Sequence, residues 1–387
     1  MLALHGGRSM RPSSPNRRPL RTNAMPAIAA TGFAAGDKAD ADLAVLAVKD
    51  ALANAGCDYA HSVILFLTSH FGRNAQQAVT AASRTARCLQ VSGCTTPGVF
   101  TDRSWALHQP AAAALVLSGP ISLGPVQATE PTMTFALPEH INSDWLIPYP
   151  PRYGTLATGL DEREGGKVWA QGKVREDNVE TSFRGASVRT ALSRGLRFLS
   201  PTLFVTEQDG FEVFQLSGNP ALDTLLHQLP PEASGLDTLP LQRLCALVLE
   251  PGLPTPLALR DGRYSLLPLL GINSSERSVT LAAPLPPDTA LVWAWREPNA
   301  AEADTTDALD HLTAGNQPAP DFALMFSCLG RGPYFFQGHD RDLALLSARF
   351  PSLPVLGAYG GGEIAALGDG NVLLSYSTVF SLVSANV

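Results

Sequence analysis

The residues best equipped for chemistry sit where apolar runs stop. Residues 323–332, ALMFSCLGRG, end in Cys328, Gly330, Arg331 and Gly332, and residues 353–371, LPVLGAYGGGEIAALGDGN, carry Gly360, Gly361, Gly362 and Glu363. An apolar run followed by such a corner reads as a buried strand feeding a tight loop. Glycines there leave backbone N–H groups free to face a carboxylate or phosphate, although tight turns alone also select them. Arg331 is a forked cation suited to holding a carboxylate through two parallel bonds. Glu363 can receive an ammonium group, so the two together suit a zwitterionic amino acid; the competing arrangement is an ion pair between Arg331 and Glu363 themselves. Cys328, close to a cation, is a candidate for a lowered thiol pKa and a nucleophilic or redox role. Its alternation with Leu324 and Phe326 favours a structural or pocket-lining place instead.

A similar corner occurs earlier. Residues 62–73, SVILFLTSHFGR, end in His70, Gly72 and Arg73, and residues 89–100, LQVSGCTTPGVF, contain Gly93, Cys94, Thr95 and Thr96. Cys94 holds the place that Cys328 holds in the later unit, and the two threonines offer hydroxyls to a ligand or to the turn itself. His70 is the histidine best placed for a site, as a haem ligand or general base, with a capping or surface role as the plainer alternative. Arg73 can guard a pocket of its own lobe.

The elements that must position these residues follow from periodicity. Between the two late corners Asp340 can cap a short helix with Leu343, Leu346 and Phe350 at helical spacing. Between the two early ones Asn74 can cap a helix whose face is Ala75, Ala78, Val79, Ala82, Ala86 and Leu89. Strand, corner, helix, strand, corner is most simply a parallel βαβ crossover, which brings both corners to the carboxyl ends of neighbouring strands, where open α/β sheets hold ligands. The expected class is therefore α/β, with mixed, largely parallel sheets flanked by helices in two lobes related by an internal pseudo-repeat.

Composition narrows the rest. A chain of 387 residues with 45% hydrophobic residues is long enough for two full cores. A net charge of -7, and no basic stripe interleaved with aromatics, argue against nucleic acid and anionic membrane as partners. Five cysteines without CxxC spacing point to reduced thiols in a cytoplasm and to no metal site. The longest apolar run, residues 111–117, is far too short to span a membrane. The first 24 residues carry five arginines and no acid; they read as a disordered tail, with Met25 as the natural start, and the ordered remainder carries -12. Order is expected from Asp42, where Val45, Val48 and Leu52 form a stripe that Gly56 terminates. Residues 120–151 are proline-rich and expected to be irregular, Asp209 and Gly210 mark a hairpin, and Asn219 with Pro220 start a helix. Strands are expected at 264–270, 278–283 and 290–295, and a domain boundary in the proline-rich residues 229–240.

MFSCLGRG, LGAYGGGEI, SYSTVFSLV (375–383) and DGFEVFQLSGNPALD (209–223), with the less specific VSGCTT (91–96), together resemble the FIST family over residues 43–383. The resemblance implies an N-terminal FIST domain over 41–230 and a C-terminal one over 240–387, after a poorly ordered extension over 1–40. It implies an intracellular sensory protein that binds a small ligand, such as an amino acid or small carboxylate, and takes part in signal transduction. Some members are haem-binding nitric-oxide sensors acting on histidine kinases, so haem is an alternative cofactor that nothing in the residues requires. No kinase, cyclase, chemoreceptor or F-box segment is visible, so output is expected through a separate signalling protein. The reading is of a non-catalytic sensor, with a cysteine enzyme using Cys328, assisted by His339, as the alternative. In it Arg331→Ala abolishes ligand binding at little cost in stability.

Overall fold

The computed structural model describes residues 29–146, 149–161, 164–233, 239–368 and 370–386. The expected basic tail and the Met25 start lie outside the described residues. In chain order, β1 (Ala29–Ala35) and α1 (Ala41–Ala55) lead into β2 (Ser62–Thr68), α2 (Ala75–Ala86) and β3 (Val91–Thr96). Then come β4 (Gly98–Thr101), β5 (Trp105–Leu107), β6 (Ala111–Leu117), β7 (Ser122–Gly124), β8 (Thr132–Ala136) and β9 (Arg152–Leu156). Next are β10 (Val168–Ala170), β11 (Lys173–Arg175), β12 (Val179–Arg184), β13 (Ala186–Ser193), β14 (Leu196–Phe198), β15 (Leu203–Asp209), β16 (Glu212–Leu216) and β17 (Asn219–Pro220). They are followed by α3 (Ala221–Leu226), β18 (Leu244–Leu249), α4 (Thr255–Arg260), β19 (Tyr264–Asn273), β20 (Ser278–Leu281), β21 (Ala290–Arg296) and α5 (Pro298–Thr313). The chain closes with β22 (Phe322–Cys328), α6 (Arg341–Arg349), β23 (Val355–Gly360), β24 (Glu363–Leu367), β25 (Gly370–Leu374) and β26 (Thr378–Ala385).

Local chemistry explains why the helices start and stop where they do. Asp40 caps α1 by accepting from the Asp42 N–H, and Gly56 ends it in the left-handed region at φ 68. Asp340 caps α6 by accepting from Leu343 N at 3.0 Å. Asn74 does not cap α2; its amide donates to Ala39 O at 3.1 Å, and a 3₁₀ turn over Ser69–Asn74 leads into the helix instead. Helix α1 packs onto β1 at Gly32, where a Cβ would lie 2.1 Å from Ala47 O.

Four sheets result. The first runs β1-β6-β2-β3-β10-β11, with β2 and β3 parallel and the other neighbours antiparallel. The second runs β13-β26-β22-β23-β4-β5, with β22 and β23 parallel and again the rest antiparallel. The sheets are thus mixed rather than largely parallel, and strand order and sense coincide position by position. Their inner faces share one core with a third sheet, β25-β24-β9-β8-β12-β7. Phe66, Phe135 and Phe326, one from each sheet, meet there with centroids 5.4 to 6.2 Å apart. The outer face of the first sheet is covered by α1 and α2, that of the second by α5 and α6. The continuous apolar runs in β2, β6 and β22 follow from this: a strand covered on both faces has no solvent side to make polar.

The fourth sheet closes on itself. β21, β15, β16, β20, β19 and β18 pair in that order, and β18 pairs back onto β21, so these six strands form a small antiparallel barrel. Trp293, Val205, Leu216 and Leu244 fill it together with Leu222 and Leu225 of α3. The barrel lies between β13 and α5 in sequence, and the proline-rich residues 229–240 connect two of its strands. They therefore do not separate two domains. β4 and β5 follow β3 yet pair into the second sheet, and β9 pairs with β24, so the halves interlock. Two further expectations change. The poorly ordered extension does not reach residue 40, because β1 pairs with β6 over seven residues, and the region 120–151 contains β8, whose Phe135 is fully buried. Trp293 Nε1 donates to Thr224 Oγ1 at 3.1 Å. Thr224→Val is expected to cost about 1–3 kcal/mol, the usual penalty for a buried donor without an acceptor, as read from the urea midpoint.

Candidate functional site

The early corner is open. β2 runs into the Ser69–Asn74 turn and then α2, and this junction borders a cavity of about 710 Å³. Gly72, Arg73, Ala75 and Gln76 line one side and residues 164–167 another. Arg73 is exposed and its Nε pairs with Glu164 Oε1 at 2.8 Å. Gln76 fixes the far wall: its Oε1 accepts from Val174 N at 2.8 Å and its Nε2 donates to Gly172 O at 3.1 Å. Arg73, Lys167 and Arg175 line the cavity together with Glu139, Glu164 and Glu176.

Thr95 positions this loop. Its hydroxyl accepts from Lys167 N at 2.9 Å and donates to Thr158 O at 2.9 Å, while its own N–H donates to Lys167 O at 2.8 Å. That leaves Thr95 no free proton for a ligand. Thr96 donates to Gly98 O at 2.9 Å and closes a turn. Gly93 is a packing residue, since a Cβ there would lie 1.8 Å from Leu65 O. Cys94 is wholly buried and its thiol is pushed far up by burial. None of Gly93, Cys94, Thr95 and Thr96 meets the cavity through a free polar group, which corrects their assignment as ligand contacts. His70 is half-buried with an unpartnered Nδ1, and burial, then the neighbouring His108, lowers its pKa. His108 in turn stacks on Tyr334 at 5.9 Å, joining the early corner to the late one.

The late corner is filled. Leu329 N donates to Gly360 O at 2.9 Å, so its two glycine loops lie side by side. A Cβ on Gly330 would lie 2.7 Å from the Tyr376 ring, one on Gly332 2.9 Å from the Tyr359 ring, and one on Gly360 1.9 Å from Thr155 Oγ1. These glycines are there because side chains press on the backbone, leaving no seat for a ligand. Arg296 covers Gly330: its guanidinium stacks on Tyr376 at 3.6 Å and donates to Gly330 O. Gly361 alone of the loop is exposed, against Thr158 Cγ2. Gly362 accepts from Leu156 N at 2.9 Å through its carbonyl.

Arg331 is not a ligand clamp. Its side chain is 1% exposed and pairs with Asp342, also 1% exposed, through Nε to Oδ2 at 2.9 Å. Nη2 donates to Ser193 Oγ at 2.8 Å, Thr305 Oγ1 at 3.1 Å and Ala301 O at 3.2 Å. Nor does it pair with Glu363, whose Oε2 accepts from Ser377 Oγ at 2.7 Å and whose buried Oε1 makes no hydrogen bond among the described residues. Burial raises the Glu363 carboxyl well above its ordinary range, against the pull of its Ser377 hydrogen bonds. Cys328 is buried beside it, and burial, reinforced by Glu363, pushes the thiol up to about 12. A thiol so shifted is a poor nucleophile at neutral pH, and no histidine hydrogen-bonds it among the described residues.

Of the residues singled out from the sequence, Arg73 lines this cavity; Glu139, Glu164, Lys167 and Arg175, which line it too, were not among them. The signal was EREGGK at 162–167, a charged glycine loop; its contact with Thr95 across 72 residues was not visible locally.

The architecture is that of a mixed α/β protein with two matching sheets, a third closing sheet and an inserted barrel. Residues 222–366 match the model of the FIST C domain, so the family resemblance stands for this part of the chain. The chain is 23% identical over 360 residues to an uncharacterized protein of Mycobacterium tuberculosis (strain ATCC 25618 / H37Rv), covering 85% of this chain and 92% of that relative. It is 24% identical over 251 residues to an uncharacterized protein of Mycobacterium bovis, covering 63% of this chain and 62% of the other. No helix among the described residues is long and apolar enough to cross a membrane.

Proposed function

We propose that the protein is a sensory protein that binds a small polar ligand in the cavity at the carboxyl end of β2. The observation that carries this is the cavity itself. Its volume of about 710 Å³ lies within the range of small-molecule sites, and it opens at a strand end and helix start, where open α/β sheets seat ligands. Cations and carboxylates in one lining suit a zwitterion or small acid, which agrees with the amino-acid or carboxylate ligands that the FIST resemblance implies. The matched strand order of the first two sheets supports an internal pseudo-repeat in which one corner has stayed open and the other has been packed shut. On this reading the protein works in the cytoplasm and reports occupancy to a separate signalling protein through the loops that bridge the corners.

Thermal unfolding against a panel of amino acids and small carboxylates tests it. A ligand at a hundredfold excess over its Kd adds about 2.7 kcal/mol to stability. Lys167→Glu is expected to weaken that ligand at least tenfold while moving the stability of the free protein by no more than about 0.5 kcal/mol, as for other surface changes. Undiminished affinity in the variant would take Lys167 out of the site.

A further inference from the structure

A second cavity, with no lining residue in common with the first, lies where the barrel meets the second sheet. Arg194 sits in the link between β13 and β14, its guanidinium over the Tyr264 ring at 4.2 Å and its Nη1 donating to Tyr264 O at 3.1 Å. Its Nε and Nη2 are buried and make no hydrogen bond among the described residues. Those two N–H groups form the edge of the fork that meets a carboxylate in two parallel bonds. The charged neighbours in the same lining are the Asp304 carboxylate and the Arg260–Asp261 pair. Asp304 Oδ2 accepts from Ser193 Oγ and from the N–H groups of Arg194 and Gly195, and Arg260 is held by Asp261 through two bonds.

The space beside the fork is shaped for more than an ion. Arg194 lines a cavity of about 350 Å³ together with Leu192, Leu196, Leu259 and Leu367. Gly262, at φ 69, leaves a gap there in which a Cβ would still stand 3.9 Å from Arg194 Nε. A third cavity of about 440 Å³ shares Tyr264 and Leu367 and adds Val248, Leu249 and Val372 with the Arg263–Glu250 pair. We propose that this groove binds a monocarboxylate with an apolar tail, the head on Arg194 and the tail running past Leu367. Both N–H groups are buried from water, so entry of the carboxylate requires the wall beside them to give way. No residue of the groove lines the cavity of the proposed sensory site, so the two readings stand or fall separately.

Calorimetric titration of the full chain with octanoate, with 1-octanol as the uncharged match, tests the inference. Octanoate is expected to bind at least tenfold tighter than octanol, and Arg194→Met to lose that advantage while leaving octanol unchanged. Leu259→Trp, which fills the groove and spares the fork, is expected to weaken both ligands at least tenfold; it keeps the test decisive if Arg194→Met does not fold. Lys167→Glu is expected to leave octanoate binding as it was. Absence of octanoate binding, or equal octanoate affinity in Arg194→Met, would overturn the proposal.

Discussion

Asp342→Ala is expected to cost about 3–5 kcal/mol of folding stability, the usual effect of removing one partner from a buried ion pair. Arg331 and Asp342 are each 1% exposed, and the carboxylate also accepts from Thr305 Oγ1 at 2.7 Å and Thr378 Oγ1 at 3.0 Å. Through these bonds the pair ties β13, α5, α6 and β26 together. Without Asp342 the buried guanidinium loses the carboxylate that hydrogen-bonds it. Replacing both partners, as Arg331→Met with Asp342→Leu, is expected to recover most of the loss, because the desolvation of both charges is then relieved. Urea unfolding of the two variants at pH 7 reads the difference. A loss below about 1 kcal/mol in Asp342→Ala would mean that the pair is wetter than its burial states. The same geometry reverses the expectation for Arg331→Ala, which becomes a costly core change with no direct effect on a ligand.

Glu363→Gln is expected to gain stability over the parent protein as pH rises. The folded protein holds the Glu363 proton more tightly than the unfolded chain does, because burial opposes ionisation. Below the ordinary carboxylate value of 4.5 both states are protonated and the residue contributes no pH dependence. Above it the unfolded chain ionises first, and stability falls at up to about 1.4 kcal/mol per pH unit until the folded carboxyl ionises too. Asp340, raised from 3.8 to about 6 by burial and then by Asp342, adds a fall of the same sign between those values in both proteins. Glutamine cannot ionise, so the difference between variant and parent isolates Glu363. Urea midpoints measured from pH 4 to pH 8 should diverge in favour of the variant; a gap independent of pH would show that Glu363 ionises in its ordinary range.

What the sequence made legible was local. The buried runs of β2, β6 and β22, the Asp340 and Gly56 caps, and the hairpin at Asp209 and Gly210 all follow from period, capping and turn chemistry within a few residues. What it concealed was pairing at a distance. AATGFAA carries little strand signal, and it is ordered because β6, some eighty residues on, supplies its hydrogen bonds. β8 hides between prolines because its order comes from Phe135 meeting Phe66 and Phe326. The candidate site failed in the same way. The partner weighed for Arg331 was Glu363; Asp342, on the first turn of α6, gave no sign in the sequence that the fold turns it inward to Arg331, Thr305 and Thr378. The glycines looked like ligand cradles because the sequence does not show that Tyr359, Tyr376 and Thr155 press on them.

Backbone amide NMR of the full chain during titration with an equimolar set of amino acids and small carboxylates tests the central claim most directly. Saturable shifts are expected at Gly72, Arg73, Gln76 and Lys167, with Gly330 and Gly360 unmoved. Shifts confined to Gly330 and Gly360, or no saturable change at Gly72 and Lys167 with any member of the set, would contradict it.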